Sequence, residues 1–163
     1  MHTTLFTSND KRERYNEAYA QIIAVTAGES DVVANMANTI AILRHAIGAA
    51  SWVGFYVLRG DTLVLGPFWG EVACVRIPVA PRARGVCGAA VVTRAVQVVR
   101  DVHAFADHIA CDANTQSEIV VPIETASGVV AVLDVDSHQV GAFDDVDVVG
   151  LLPVARLCAE WNW

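Results

Sequence analysis

The sequence predicts an α+β fold, with one antiparallel sheet, helices packed mainly on one of its faces, and a ligand pocket on the other. Helical spacing runs through residues 9–48, strand alternation takes over across 51–137, and a last helical stretch covers 144–161. The 163 residues are 54% hydrophobic and 18% charged, which suffices for a single core and sets the expected domain at 1–163.

The first helix is expected from Asn9 to about Ala27, capped by Ser8 or Asn9 and closed near Gly28. Ser30 suits the cap of a second helix, in which Val33, Met36, Ile40, Leu43 and Ile47 recur along one apolar face. After Ser51 the run WVGFYVL, the turn RGD and the run TLVLGPFWG read as a hairpin, followed by a third strand in ACVRIPV. On the first strand Trp52, Gly54 and Tyr56 share a face, so the two aromatic rings are neighbours.

The stretch APRAR is a basic loop, and GVCGAAVVTRA enters a short helix with Cys87 near its start. QVVRDV is a short strand. HAFADHIACDANTQ is a long polar loop, and loops of that length in a small domain tend to be functional. SEIVVPIE and GVVAVLDVDS form a second hairpin about Thr125, Ala126 and Ser127. The final helix opens at Asp144 or Asp145, with a kink expected at Pro153.

A net charge of −7 leaves no broad basic surface and argues against a nucleic-acid partner. The opening MHTTLFTSNDKRERY lacks a signal-peptide core, and Arg44 and His45 interrupt the one long apolar stretch, so neither secretion nor membrane insertion is expected. Four cysteines without a C-x-x-C pair fit reduced thiols in the cytoplasm better than a disulfide scaffold.

Counting back from the second hairpin, with Glu124 facing Gly128, sets Glu118 opposite Asp134, and Asp136 lies on the same face. Like charges across strands cost stability, so such a group shares a proton or surrounds a cation. The alternative is a solvated face of ordinary surface charges; the apolar flanks IVVPI and VVAVL favour a pocket. Cys111, with His103 and His108 in the same loop, is a candidate nucleophile. Cys87 is a second, since a helix N-terminus can lower a thiol pKa. Cys74 and Cys158 read as packing, and Trp52 and Tyr56 read by default as core aromatics. His108 and Cys111 with His103 or Cys87 form an alternative zinc set.

The blocks SWVGFY, LVLGPFWGEVACVRIP, GVCG, VVRDVHAFADHIACDANTQSEIVVPI and GVVAVLDVDS resemble the free methionine-(R)-sulfoxide reductases, whose fold is the GAF domain. The resemblance runs from about Asn35 to Leu157 and places Cys74, Cys87 and Cys111 on the family's three cysteines, with no counterpart for Cys158. It implies that Cys111 attacks, that Cys74 or Cys87 resolves, and that Trp52 and Tyr56 contact substrate. It also implies that Glu118, Asp134 and Asp136 bind substrate, with Glu118 and Asp134 assisting proton transfer. The chain departs from the family between Pro78 and Gly85, where the link is longer and the separation of Cys74 from Cys87 is altered.

The implied activity is reduction of free L-methionine (R)-S-oxide through a cysteine sulfenic acid and an intramolecular disulfide. Thioredoxin is the external reductant, and no bound cofactor or metal is called for. A homodimer is compatible with the resemblance. The competing expectation is a non-catalytic GAF sensor of a small molecule or of thiol oxidation, because the fold hosts both.

Overall fold

Aspartates, not the serine and asparagine beside them, start the first two helices of the computed structural model, which describes residues 6–106, 109 and 112–163. Asp10 accepts from the Glu13 amide at 3.0 Å to open α1, Lys11–Thr26, and Asp31 accepts from the Ala34 amide at 2.9 Å to open α2, Val32–Ala46. Both carboxylates satisfy an N3 donor that a helix start leaves unpaired. Val33 falls outside the buried face and is 56% exposed. The stripe instead follows Met36, Ile40 and Leu43, with Asn35, Thr39 and Ile42 beside them.

Strands β1 (Trp52–Arg59), β2 (Thr62–Trp69), β3 (Arg76–Pro78), β4 (Gln97–Val99), β5 (Ser117–Thr125) and β6 (Gly128–Ser137) form one antiparallel sheet in the order β3-β2-β1-β6-β5-β4. The third strand is shorter than expected. Leu65 donates to the Val75 carbonyl at 3.0 Å, but residues 70–75 are neither helix nor strand, so Cys74 lies in an irregular segment.

The second hairpin also differs. Its turn pairs Thr125 with Gly128, and a bulge between Ile123 and Glu124 adds one more residue to the count. Glu118 therefore faces Asp136, and Asp134 faces Val120. The shift amounts to two residues in all, so it preserves the face on which every side chain lies.

One face of the sheet carries Val53, Phe55, Val57, Ile119, Val121, Ile123, Leu133 and Val135, and it is covered by α2 and α4 (Asp145–Cys158), on which α1 packs. The opposite face carries Trp52, Tyr56, Val120 and Val132 and is covered by α3, Gly85–Thr93. Helix α4 opens with a capping box between Asp144 and Asp147, continues through Pro153, and ends at Cys158, short of the expected 161. No helix among the described residues is long and apolar enough to cross a membrane.

Where α4 meets α1, Gly150 has no side chain because Tyr15 occupies the space; an added Cβ would overlap the Tyr15 ring. Tyr15 cannot withdraw, since its hydroxyl donates to the buried Asp147 at 2.8 Å and Lys11 holds the same carboxylate. Alanine would gain about 1 kcal/mol of helix propensity, but overpacking costs roughly 1–3 kcal/mol, and here the neighbour is pinned. We expect Gly150→Ala to lower the melting temperature by roughly 2–8 °C in calorimetry. A higher melting temperature would show that Tyr15 is free to move.

Candidate active site

The strand alternation of β1 puts Trp52 and Tyr56 on the α3 side of the sheet, and the register of β6 and β5 brings Asp134, Asp136 and Glu118 alongside them. Gly54, between the two aromatic residues, has to be small, because a Cβ there would run into the Trp52 ring and lie 2.6 Å from Phe68 Cβ. The Trp52 ring stacks on Phe68 at 5.4 Å and on Tyr56 at 6.0 Å between centroids. Helix α3 lowers Cys87 onto the same spot, with its Sγ 3.4 Å from Asp134 Oδ2 and 4.0 Å from Glu118 Oε1.

These groups line a cleft of about 500 Å³, mouth included, completed by Ala73, Ile77, Val86, Ile109, Asp112 and Thr115. Four carboxyl groups face it, and its described lining contains no lysine, arginine or histidine. Burial pushes Glu118, Asp134 and Asp136 well above the usual carboxylate range, and their mutual repulsion pushes in the same direction. Glu118 and Asp134 share a hydrogen bond, so one of them carries a proton. Asp134 Oδ1 is buried with no partner among the described residues. A cleft of this kind takes a cationic group into its carboxylates and retains a proton for delivery.

A GAF domain family model matches residues 26–160. The free methionine-R-sulfoxide reductase of Escherichia coli (strain K12) is 49% identical over 142 residues, covering 87% of this chain and 84% of that protein. The protein of that name from Saccharomyces cerevisiae is 36% identical, covering 96% and 89%. The solved free methionine-R-sulfoxide reductase of Neisseria meningitidis in complex with its substrate superposes with a TM-score of 0.92 at 44% identity, covering 98% of this chain and 95% of that one. The chain belongs to the free methionine-R-sulfoxide reductases of the GAF fold.

In this reductase the cysteines occupy distinct environments. Cys74 is disulfide-bonded and half-buried at the edge of the cleft cluster, while Cys87 and Cys158 are free and buried. Cys111 and His108 lie outside the described residues. The expected lowering of the Cys87 thiol is overturned. Burial, and then the charges of Asp134 and Glu118, raise it well above the ordinary range, which outweighs any effect of the helix start. Three ligand atoms of Cys87, Glu118 and Asp134 lie within 4.8 Å of one another, close enough to share a metal ion. With its thiol donating to Asp134, though, Cys87 is a hydrogen-bond donor and not a preformed thiolate ligand. His103, offered for the zinc set, is exposed and holds Asp101 at 3.0 Å.

Three contributors went unnoticed in the sequence. Asp112 lines the cleft while its Oδ1 accepts from the Asn114 amide at 2.8 Å and His138 holds its Oδ2 at 2.9 Å, and these two bonds keep it below the usual carboxylate range. Phe68 is the outer slice of the aromatic stack. Ile109 packs against the cleft cluster and lies under Gly85. Asp112 and Ile109 are brought to the cleft by tertiary placement, of which local spacing carries no signal.

Proposed function

We propose that this chain reduces free methionine-(R)-sulfoxide to methionine, with Cys111 as the attacking thiol and Cys74 as the resolving one. The observation that carries the reading is the group of three buried carboxyls, Glu118, Asp134 and Asp136, beside the stacked rings of Trp52 and Tyr56, with the disulfide-bonded Cys74 at its edge. The substrate ammonium is received by Asp136 and the ionised member of the Glu118–Asp134 pair. The methyl group and the positive sulfur that develops during attack lie against the rings.

The Cys111 sulfur attacks the sulfoxide sulfur while the protonated carboxyl of the Glu118–Asp134 pair hydrogen-bonds and protonates the oxygen. The sulfur–sulfur bond so formed then breaks as the hydroxyl passes from the substrate sulfur to the Cys111 sulfur, so methionine leaves and Cys111 is left as a sulfenic acid. Cys74 then displaces that oxygen as water and forms a disulfide, which an external dithiol, thioredoxin in our reading, reduces. The disulfide state of Cys74 supports its role over Cys87, whose buried thiol serves as a donor to Asp134. A cycle that thioredoxin regenerates fits the cytoplasm as its compartment.

NADPH consumption with thioredoxin and thioredoxin reductase tests the proposal. Free methionine-(R)-sulfoxide should turn over; a peptide-bound sulfoxide should be at least about 100-fold slower because the carboxylates need a free ammonium group, and the S epimer likewise because, with ammonium and methyl held in place, its oxygen is directed away from the protonated carboxyl. No turnover of the R epimer would favour a sensor that binds without chemistry.

A further inference from the structure

Both aromatic residues of the cleft end in a polar atom that the proposed chemistry does not use, and both atoms reach the same stretch of backbone. The Trp52 indole N–H donates to the Glu71 carbonyl at 3.0 Å, and the Tyr56 hydroxyl donates to the Cys74 carbonyl at 3.0 Å. Residues 70–75 have no helix or strand to stiffen them, and Val72 and Val75 are 83% and 64% exposed. Only Ala73 and Cys74 of this segment pack against the cleft cluster, so the two bonds set its backbone where regular structure does not, and the Leu65 amide on the Val75 carbonyl fixes its far end.

The donors themselves are rigid. Trp52 and Tyr56 are 4% and 1% exposed, and the Trp52 ring lies between Tyr56 and Phe68. Burial and the neighbouring Asp134 charge keep Tyr56 a phenol, so its donor persists across the working pH range.

We propose that Trp52 and Tyr56 are positioning residues for disulfide formation: through the Glu71 and Cys74 carbonyls they hold the segment that presents the Cys74 sulfur to the oxidised thiol. This rests on the reading of Cys74 as the resolving cysteine. In that step the Cys74 sulfur attacks the sulfenic sulfur, the sulfur–oxygen bond breaks, and the oxygen leaves as water with the proton of the Cys74 thiol and its own. No outside oxidant is consumed. A loosened segment lowers the frequency of productive approach and leaves the first chemical step largely alone.

Tyr56→Phe keeps the ring and removes the bond, and Trp52→Phe keeps an aromatic face and removes the other. Pre-reduced protein is mixed with one equivalent of free methionine-(R)-sulfoxide, and methionine, remaining thiols and dimedone-trapped sulfenic acid are followed in time. For Tyr56→Phe we expect disulfide formation slowed about tenfold relative to methionine formation in the same variant, with trapped sulfenic acid accumulating, whatever the ring contact itself does to KM. Trp52→Phe should shift the same way. Unchanged disulfide formation, or a rise in KM alone, would overturn the proposal and leave Tyr56 as a substrate contact only. Hydrogen peroxide in place of the sulfoxide oxidises the thiols without using the cleft, and the delay must persist there. If peroxide shows the delay while the parent makes no methionine from sulfoxide, the functional reading fails and the positioning role stands.

Discussion

Replacing Cys111 with serine should cut turnover of free methionine-(R)-sulfoxide by roughly a thousandfold or more, since a hydroxyl without a base to activate it cannot substitute for a thiolate. Cys158→Ser should stay within about twofold, because Cys158 is buried in the apolar cluster under α4, on the opposite face of the sheet from the carboxyls. Burial there also raises its thiol pKa, so it supplies no nucleophile. Cys74→Ser should release about one methionine per chain and then stall, because the sulfenic acid has lost its partner. The coupled assay and a single-turnover methionine measurement separate these outcomes. Equal losses in Cys111→Ser and Cys158→Ser would remove the assignment of the nucleophile.

Glu118→Gln should lower turnover by about 100-fold, within the range that a positioned proton donor contributes. The pH profile is the sharper test. With its pKa raised by burial and then by Asp136, Glu118 holds its proton past the ordinary carboxylate range, so activity should fall as pH climbs through that raised value. The variant should lose this alkaline limb, and an unchanged profile would reject the acid role.

The same shift predicts a gain in stability. An unfolded chain releases the Glu118 proton above about pH 4, while the folded chain retains it. Stability is therefore fully present below that pH and declines as the pH rises toward the raised value. Glutamine carries no such loss, so Glu118→Gln should melt above the parent at pH 8 and differ less at pH 4. A lower melting temperature at pH 8 would mean that the buried carboxyl group is not under strain.

Much of this site could be read from residue order because strand alternation fixes faces. Trp52 with Tyr56, and Glu118 with Asp134 and Asp136, fall on one side of the sheet in any register displaced by an even count. The partner of Glu118 was not readable, because the tight turn at Thr125–Gly128 and the bulge after Ile123 each add a residue without a compositional mark. The helix caps moved by one or two residues for a related reason: Ser8, Asn9 and Asp10 are all good caps, and tertiary contacts choose among them.

Cys87 shows a deeper limit. Its place at a helix start predicts a lowered pKa, yet burial, and then the carboxyls of β5 and β6 beside it, reverse the sign. Cys74 reads as a strand residue until β3 shortens to Arg76–Pro78 and frees the segment that Trp52 and Tyr56 hold.

In this mechanism a thiol pair beside an acidic, aromatic cleft takes the oxygen from a free amino-acid sulfoxide. Fully reduced protein given one equivalent of free methionine-(R)-sulfoxide, with no other reductant, tests it most directly. The account predicts one methionine per chain, loss of two thiols, and Cys74 recovered in a disulfide with Cys111 by peptide mapping. Sulfoxide recovered intact with every thiol still free would contradict it.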